Sequence, residues 1–427
     1  MKRLLLPLLA LVSTPALAQT IAITGGKVVI GDGSAPIDGG TVIVSNGRIV
    51  AAGSNVAVPA GAQRIDATGK WVTPGIVAGF SRIGLAGVDA VDDSNDTSAK
   101  SSPFSAALDI ALAVSSDVEA ISVNRAAGVT RAVVSPDTSN AIFAGQGAVI
   151  DTGADPNPIT RARAFQFVEF GESGARRAGG SRPALFAAFR NALAEARDYQ
   201  AGHLHEDSLL KRADAAALVP VMTGAQKLVV HAESAADILA VLSLKRDYPA
   251  LALVLVGVTE GWRVAPQIAA SGVPVIASAV NDLPAAFDQI AATQSNVGRM
   301  KAAGVTVAIG MIDDDDTRQA MHGTQYAGNL VALTRVPGAT GLDWNDAFAA
   351  ITSKPAQVIG MGSEIGSLQP GRRGDVVIWD GDPLEVTSGV EAVWIDGIRQ
   401  SLETRQTRLR ARYAHPQEGN LPKAYDR

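Results

Sequence analysis

Two acidic clusters, one histidine pair and a few isolated side chains are where this chain could do chemistry. Asp313-Asp314-Asp315-Asp316 sets four acids in consecutive positions. Adjacent carboxylates repel, so such a run either raises a carboxyl pKa or draws a cation between the groups. Calcium accepts oxygen-rich loops of this kind, although EF-hand spacing is absent; a solvated acidic loop is the plain alternative. Asp89, Asp92, Asp93 and Asp96 form a second cluster amid Ser94, Asn95, Thr97 and Ser98, the composition of a loop that can fold over a site as a lid. His203-Leu204-His205, with Glu206 and Asp207 beside it, carries ligand types for a metal. On a helix, positions i and i+2 point about 200° apart and cannot chelate together; on a loop they can. The pair therefore reads as a surface ion site or as a solvated connection. Thr259-Glu260-Gly261-Trp262 puts a carboxylate beside an indole, which suits ligand stacking or the packing of the next helix. Gly145-Gln146-Gly147 lacks the lysine and helix start of a phosphate loop. His322 either reaches a pocket from its loop or caps the helix that follows. No Ser-His-Asp order or nucleophile elbow is present. With no cysteine in the chain, thiol nucleophiles, disulfides and cysteine-based metal sites are excluded.

The elements that must position these groups fall into three stretches. Residues 20 to 72 read as short strands: Lys27 to Ile30, then Thr41 to Val44 and Arg48 to Ala51 joined by Asn46-Gly47, a tight-turn signal. Asp375 to Trp379 and Ala392 to Ile395, the latter followed by Asp396-Gly397, repeat that pattern near the other end. Two half-sheets at opposite ends predict one composite β-sandwich domain, since short sheets bury a face by pairing. Between them, compact β-branched runs alternate with helical ones: Val129 to Val134, Leu228 to Val230, Leu251 to Val256, Val273 to Ala277 and Val305 to Ile309. Such runs are typical of parallel strands covered on both faces. Gly272 and Gly304 sit at helix-to-strand joins, where glycine closes a helix in a left-handed cap. About 290 residues in this rhythm fit a (β/α)8 barrel of TIM type with insertions. The strands between 137 and 227 do not resolve from the pattern.

The first 18 residues have the form of an export leader: Lys2 and Arg3, an apolar run from Leu4 to Val12, and Ala16-Leu17-Ala18, with cleavage expected between Ala18 and Gln19. The expected address is periplasmic or secreted, with no membrane anchor after cleavage. The remainder would carry 35 basic against 42 acidic residues, a formal charge of −7. That balance argues against nucleic acid and anionic membranes as partners and leaves small molecules. The expected organisation is a signal peptide over 1–18, a composite β domain from 19–72 and 363–400, a barrel over 73–362, and a helix and tail over 401–427.

Four segments carry a family resemblance: Val72-Thr73-Pro74-Gly75, His231-Ala232-Glu233-Ser234 through Ile238, Gly304 to Gly310, and the long stretch from Ala349 through Ile365-Gly366-Ser367-Leu368-Gln369-Pro370-Gly371 to Ile378. Together they resemble the amidohydrolase superfamily, nearest to its exported imidazolonepropionase-like and prolidase-like branch. The resemblance implies a barrel whose C-terminal mouth holds one or two divalent metals that activate water toward a carbon–nitrogen bond. It also implies where donors should lie. The two first-strand metal positions, histidines in the family, are Phe80 and Arg82. A benzene ring offers no lone pair and a guanidinium repels a cation. His231 matches a metal histidine. Gly257 stands where a second is often found. Met311 and Ile312 replace the last strand's threonine–aspartate pair, with Asp313 one place late as ligand or base, and Glu260 is an assisting carboxylate. Arg82 is expected to pair with a carboxylate of the Asp89–Asp96 cluster. Catalytic zinc normally needs three protein ligands. The resemblance thus implies either a hydrolase of amides, cyclic amides or dipeptides with one zinc or manganese, or a degenerate centre with no metal. In the second case the chain is an inactive relative that binds a small ligand, as a homodimer or as a heteromer with an active paralogue.

Overall fold

A computed structural model describes residues 20–88, 91–203, 205, 207–312 and 318–414. The expected leader with Ala18 and Gln19, together with Asp89, Glu206 and the run Asp313–Asp316, lies outside the described residues. Sixteen strands follow in order: β1 (Ile21–Val28), β2 (Ile37–Ser45), β3 (Arg48–Gly53), β4 (Gln63–Asp66), β5 (Trp71–Pro74), β6 (Ile76–Ser81), β7 (Val129–Val134), β8 (Phe143–Asp151), β9 (Ile159–Glu169), β10 (Lys227–Ala232), β11 (Ala252–Gly257), β12 (Val275–Ala277), β13 (Val307–Ile309), β14 (Val376–Trp379), β15 (Val390–Ile395) and β16 (Ile398–Arg399).

They form two sheets. The smaller domain has the order β16-β15-β14-β5-β1-β2-β3, with β4 on β1, and so joins both ends of the chain. Its two hairpin turns are alike: Asn46 and Gly47 have φ of 53° and 72°, Asp396 and Gly397 of 50° and 75°. Two successive positive φ values are what a two-residue turn needs to match strand twist. The turns also meet across the chain, because Gly374 donates to Gly47 O (2.7 Å) and Gly397 to Gly374 O (2.9 Å). Ile21, Ile23, Val42, Val44, Val376 and Trp394 fill the core between these strands.

The second sheet runs β6 through β13 in sequence order and curls into a distorted (β/α)8 barrel of TIM type. It closes where Met311 N donates to Phe80 O at 3.0 Å. Gly79 permits that approach, since a Cβ there would collide with Ile309 O. The parallel rhythm breaks at β8, which is antiparallel to both neighbours. Eight residues separate β7 from β8 and seven separate β8 from β9. Neither link is long enough for a crossover, which takes a dozen or more. The interior is filled by Val133, Phe165, Phe167, Val229 and Val256 from the period-two faces of their strands, and by Val77 and Phe80 from β6, whose register shifts between Ala78 and Ser81. Gly272 closes the helix Ala265–Ser271 with φ of 66°, as the helix-to-strand pattern predicts.

Arg131 shares a strand face with Val133 and is completely buried between the barrel and the smaller domain. Its Nε and Nη2 donate to both Asp375 oxygens at 2.7 and 2.9 Å, Nη2 lies 2.9 Å from Asp396, and Nη1 lies 3.5 Å from Asp151. One guanidinium thus ties three aspartates from separate segments. Burial would lower the Arg131 pKa, but the Asp375 charge and hydrogen bond together with the Asp396 and Asp151 charges raise it. Burial pushes Asp151 up to about 6 against the pull of Arg131. A carboxyl held higher in the folded state stabilises the fold fully below its ordinary pKa, and that contribution is lost as pH rises through about 6. Asp151→Asn stays neutral throughout. Its urea-unfolding free energy, measured against wild type, should therefore rise by roughly 2–3 kcal/mol between about pH 4 and pH 7; a flat difference would refute the assignment.

Candidate functional site at the barrel mouth

The C-terminal ends of the barrel strands open on a cavity of about 260 Å³ lined by Phe80, Arg82, Asp137, Phe167, Glu169, Ser173, Arg177, His231, Glu233, Gln289 and Ile312. Strand periodicity delivers most of the wall. Glu169 follows Phe165 and Phe167 on the inward face of β9, and His231 follows Val229 on that of β10. The parallel register sets His231 directly beside Glu169. Ser234 caps the next helix, Ala235–Asp247, by accepting from Asp237 N, while Asp237 in its first turn suits the helix dipole. Arg182 grips that same Asp237 at 2.7 and 2.8 Å. This fixes the turn carrying Glu233.

His231 is clamped between two carboxylates. Its Nδ1 lies 2.6 Å from Glu169 Oε1 and its Nε2 lies 2.8 Å from Glu233 Oε1. The second Glu233 oxygen accepts from Thr259 N at 2.8 Å. Burial alone would lower the His231 pKa, yet the Glu169 charge and both hydrogen bonds raise it well above its ordinary value. Burial would raise Glu233, and the His231 hydrogen bond and charge bring it down instead. Across the cavity, Arg82 Nη2 meets Asp137 Oδ1 at 3.0 Å with the arginine side chain only 9% exposed. Phe80 forms the floor with Phe167, their ring centroids 5.6 Å apart.

Sequence-derived candidates fare unevenly. His231, Phe80 and Arg82 converge on the mouth. Arg82 has an acidic partner in Asp137, which follows β7; of the expected cluster, Asp89 lies outside the described residues, Asp92 and Asp93 are exposed in a short 3-10 turn, and Asp96 is exposed after it. Glu260 does not line the cavity: its carboxylate accepts from Ala235 N, Ala291 N and Arg263 Nη1 at 3.1, 2.9 and 3.0 Å. It is spent on joining three segments, so the assisting role expected of it is withdrawn. Trp262 packs structurally, donating to Ala291 O under the Arg299 guanidinium. His322 lies against Tyr326, away from the cavity lining. His203 and His205 are exposed beyond the helix Arg182–Gln200. Glu169, Asp137, Ser173 and Arg177 went unnoticed. The signal for Glu169 was an inward Phe165-x-Phe167-x-Glu169 alternation ending in an acid.

This donor set does not fit a divalent cation. Phe80 has no donor atom, Arg82 is a paired cation, and both ring nitrogens of His231 are occupied by different carboxylates. A side chain at Gly257, where φ is 89°, would run into the Glu233 carboxylate and the His231 ring. Among the described residues, no group of three or more His, Cys, Asp or Glu is placed to hold a metal ion. No helix of the described residues is long and apolar enough to cross a membrane.

Comparison with known proteins places this architecture. A sequence model of the amidohydrolase family matches residues 263–399. The crystal structure of an amidohydrolase from Thermotoga maritima MSB8 superposes with a TM-score of 0.78 at 24% identity, covering 89% of this chain and 99% of that one. The chain has the amidohydrolase-superfamily fold. Amidohydrolase tasK of Hapsidospora irregularis is 24% identical over 393 residues, covering 80% of this chain and 38% of that protein. The imidazolonepropionase of Maricaulis maris (strain MCS10) is 32% identical over 106 residues, covering 24% of this chain and 25% of that one. The chain therefore spans well under two thirds of these curated relatives.

The clamp on His231 has a direct spectroscopic consequence. A histidine with a raised folded pKa stabilises the fold below its ordinary value and loses that contribution as pH rises through the higher one. In ¹⁵N spectra of histidine-labelled protein, both His231 nitrogens should still carry protons at neutral pH. A titration midpoint near the ordinary 6.5 would contradict the clamp.

Proposed function

We propose that this protein is a metal-free relative of the amidohydrolases that holds a small molecule in its barrel mouth without hydrolysing a carbon–nitrogen bond. One observation carries the reading: each ring nitrogen of His231, the family-like metal histidine, is bonded to its own carboxylate. An imidazole engaged on both sides has no lone pair to give. The Arg82–Asp137 pair, at the position of a lost ligand, supports the same conclusion. The cavity itself is retained, with polar groups converging over an apolar floor, which is the form of a ligand pocket. The leader-like first 18 residues support export to the periplasm or beyond. Association with an active paralogue is part of the proposal.

Hydrolysis of a non-peptide amide, cyclic amide or dipeptide is the second reading, favoured by the likeness to a protein called an amidohydrolase. An assay separates the two. Protein supplied with zinc or manganese and offered all three substrate classes should show no turnover above that of His231→Ala. Turnover that His231→Ala abolishes would overturn the ligand-binding reading.

A further inference from the structure

We propose that the occupant of the barrel mouth is a small zwitterion, its carboxylate received by Arg177 and its ammonium by Glu169. This inference rests on the metal-free reading above and adds the chemical class of the ligand.

The two poles are visible in the hydrogen bonding. Glu169 and Glu233 share one imidazole, so at least one negative charge stays uncompensated whatever the state of His231. Glu233 spends its second oxygen on Thr259 N. The second oxygen of Glu169 has no hydrogen bond among the described residues, which makes Glu169 the open acceptor. Arg177 stands on the other side. It ends the helix Gly171–Arg177 one turn beyond Ser173, and its Nη groups are steadied by Ser173 O at 3.1 Å and Thr138 O at 3.2 Å. Its other bond is to the Ser173 hydroxyl, and its Nε is buried with no hydrogen-bond partner. Arg177 lines the cavity as a guanidinium that no carboxylate of the described residues meets, and Nη2, with one bond to Thr138 O, keeps a second N–H for an acceptor that arrives from outside.

Between the poles the wall is neutral. Arg82 and Asp137 offset one another, and Phe80 and Phe167 present rings to the carbon skeleton of a ligand. A plain anion would satisfy Arg177 and face the surplus carboxylate. A plain cation would satisfy Glu169 and face the guanidinium. Only a molecule bearing both charges meets both, and arginine is the side chain suited to a planar carboxylate. A cavity of about 260 Å³ holds a metabolite smaller than a drug-sized ligand.

Titration calorimetry on the full chain tests this with defined probes: the ω-amino acids from glycine to 6-aminohexanoate, with butanoate and butylamine as single-charge controls. At least one ω-amino acid should bind at least about tenfold more tightly than either control. Arg177→Gln and Glu169→Gln should each weaken that binding by about tenfold or more. Butanoate or butylamine binding as well as the best amino acid would overturn the two-pole assignment, and that comparison uses wild-type protein alone. Silence from every ω-amino acid at millimolar concentration would overturn it too. Uptake of a metal ion with turnover is the separate result that sinks the parent reading.

Discussion

Buried carboxylates need a cation, and the barrel of this protein is built around meeting that need from its own side chains. Removing the partner of a buried charge costs about 3–5 kcal/mol. At the mouth, Glu169 and Glu233 are 7% and 8% exposed and converge on His231. At the other end of the barrel, Asp151, Asp375 and Asp396 converge on Arg131. A hydrolase of this fold would use a divalent ion at the first place. On the metal-free reading proposed above, imidazole and guanidinium supply the positive charge through hydrogen bonds with fixed directions, and the described donor atoms are engaged in making them.

That choice shapes the rest of the site. Once Arg82 is paired with Asp137, the segments after β6 and β7 are held together by side chains rather than through an ion. Gly257 leaves room for the Glu233 carboxylate where a larger residue would displace it. Glu260 serves the same architecture from outside the cavity, drawing Ala235, Ala291 and Arg263 onto one carboxylate. The Arg131 cluster performs the matching task between domains. Its aspartates come from the barrel strand β8, from the residue before β14, and from the turn between β15 and β16, so one buried arginine registers the C-terminal strands against the barrel.

Much of the fold was legible because its signals are local. Asn46-Gly47 and Asp396-Gly397 state their turn type in two residues, and the compact runs of β7, β10 and β11 announce buried parallel strands. The antiparallel β8 was not legible, because strand direction here follows from linker length around strands the pattern left uncounted. The site divided along the same line. Phe80, Arg82 and His231 stood out through the family resemblance, and all three line the mouth. Glu169 reaches His231 only through the register of β9 on β10, and Asp137 reaches Arg82 only after the barrel closes. Glu260 misled because proximity to a strand end does not reveal which way a carboxylate turns.

The central claim is that the side chains of the barrel mouth engage one another and leave no donor set for an ion. Metal content measures this most directly, by elemental mass spectrometry of protein purified without chelator from cells supplied with zinc and manganese. The account predicts well under one ion per chain, unchanged in His231→Ala. Close to one ion per chain in the wild type, lost in that variant, would contradict it.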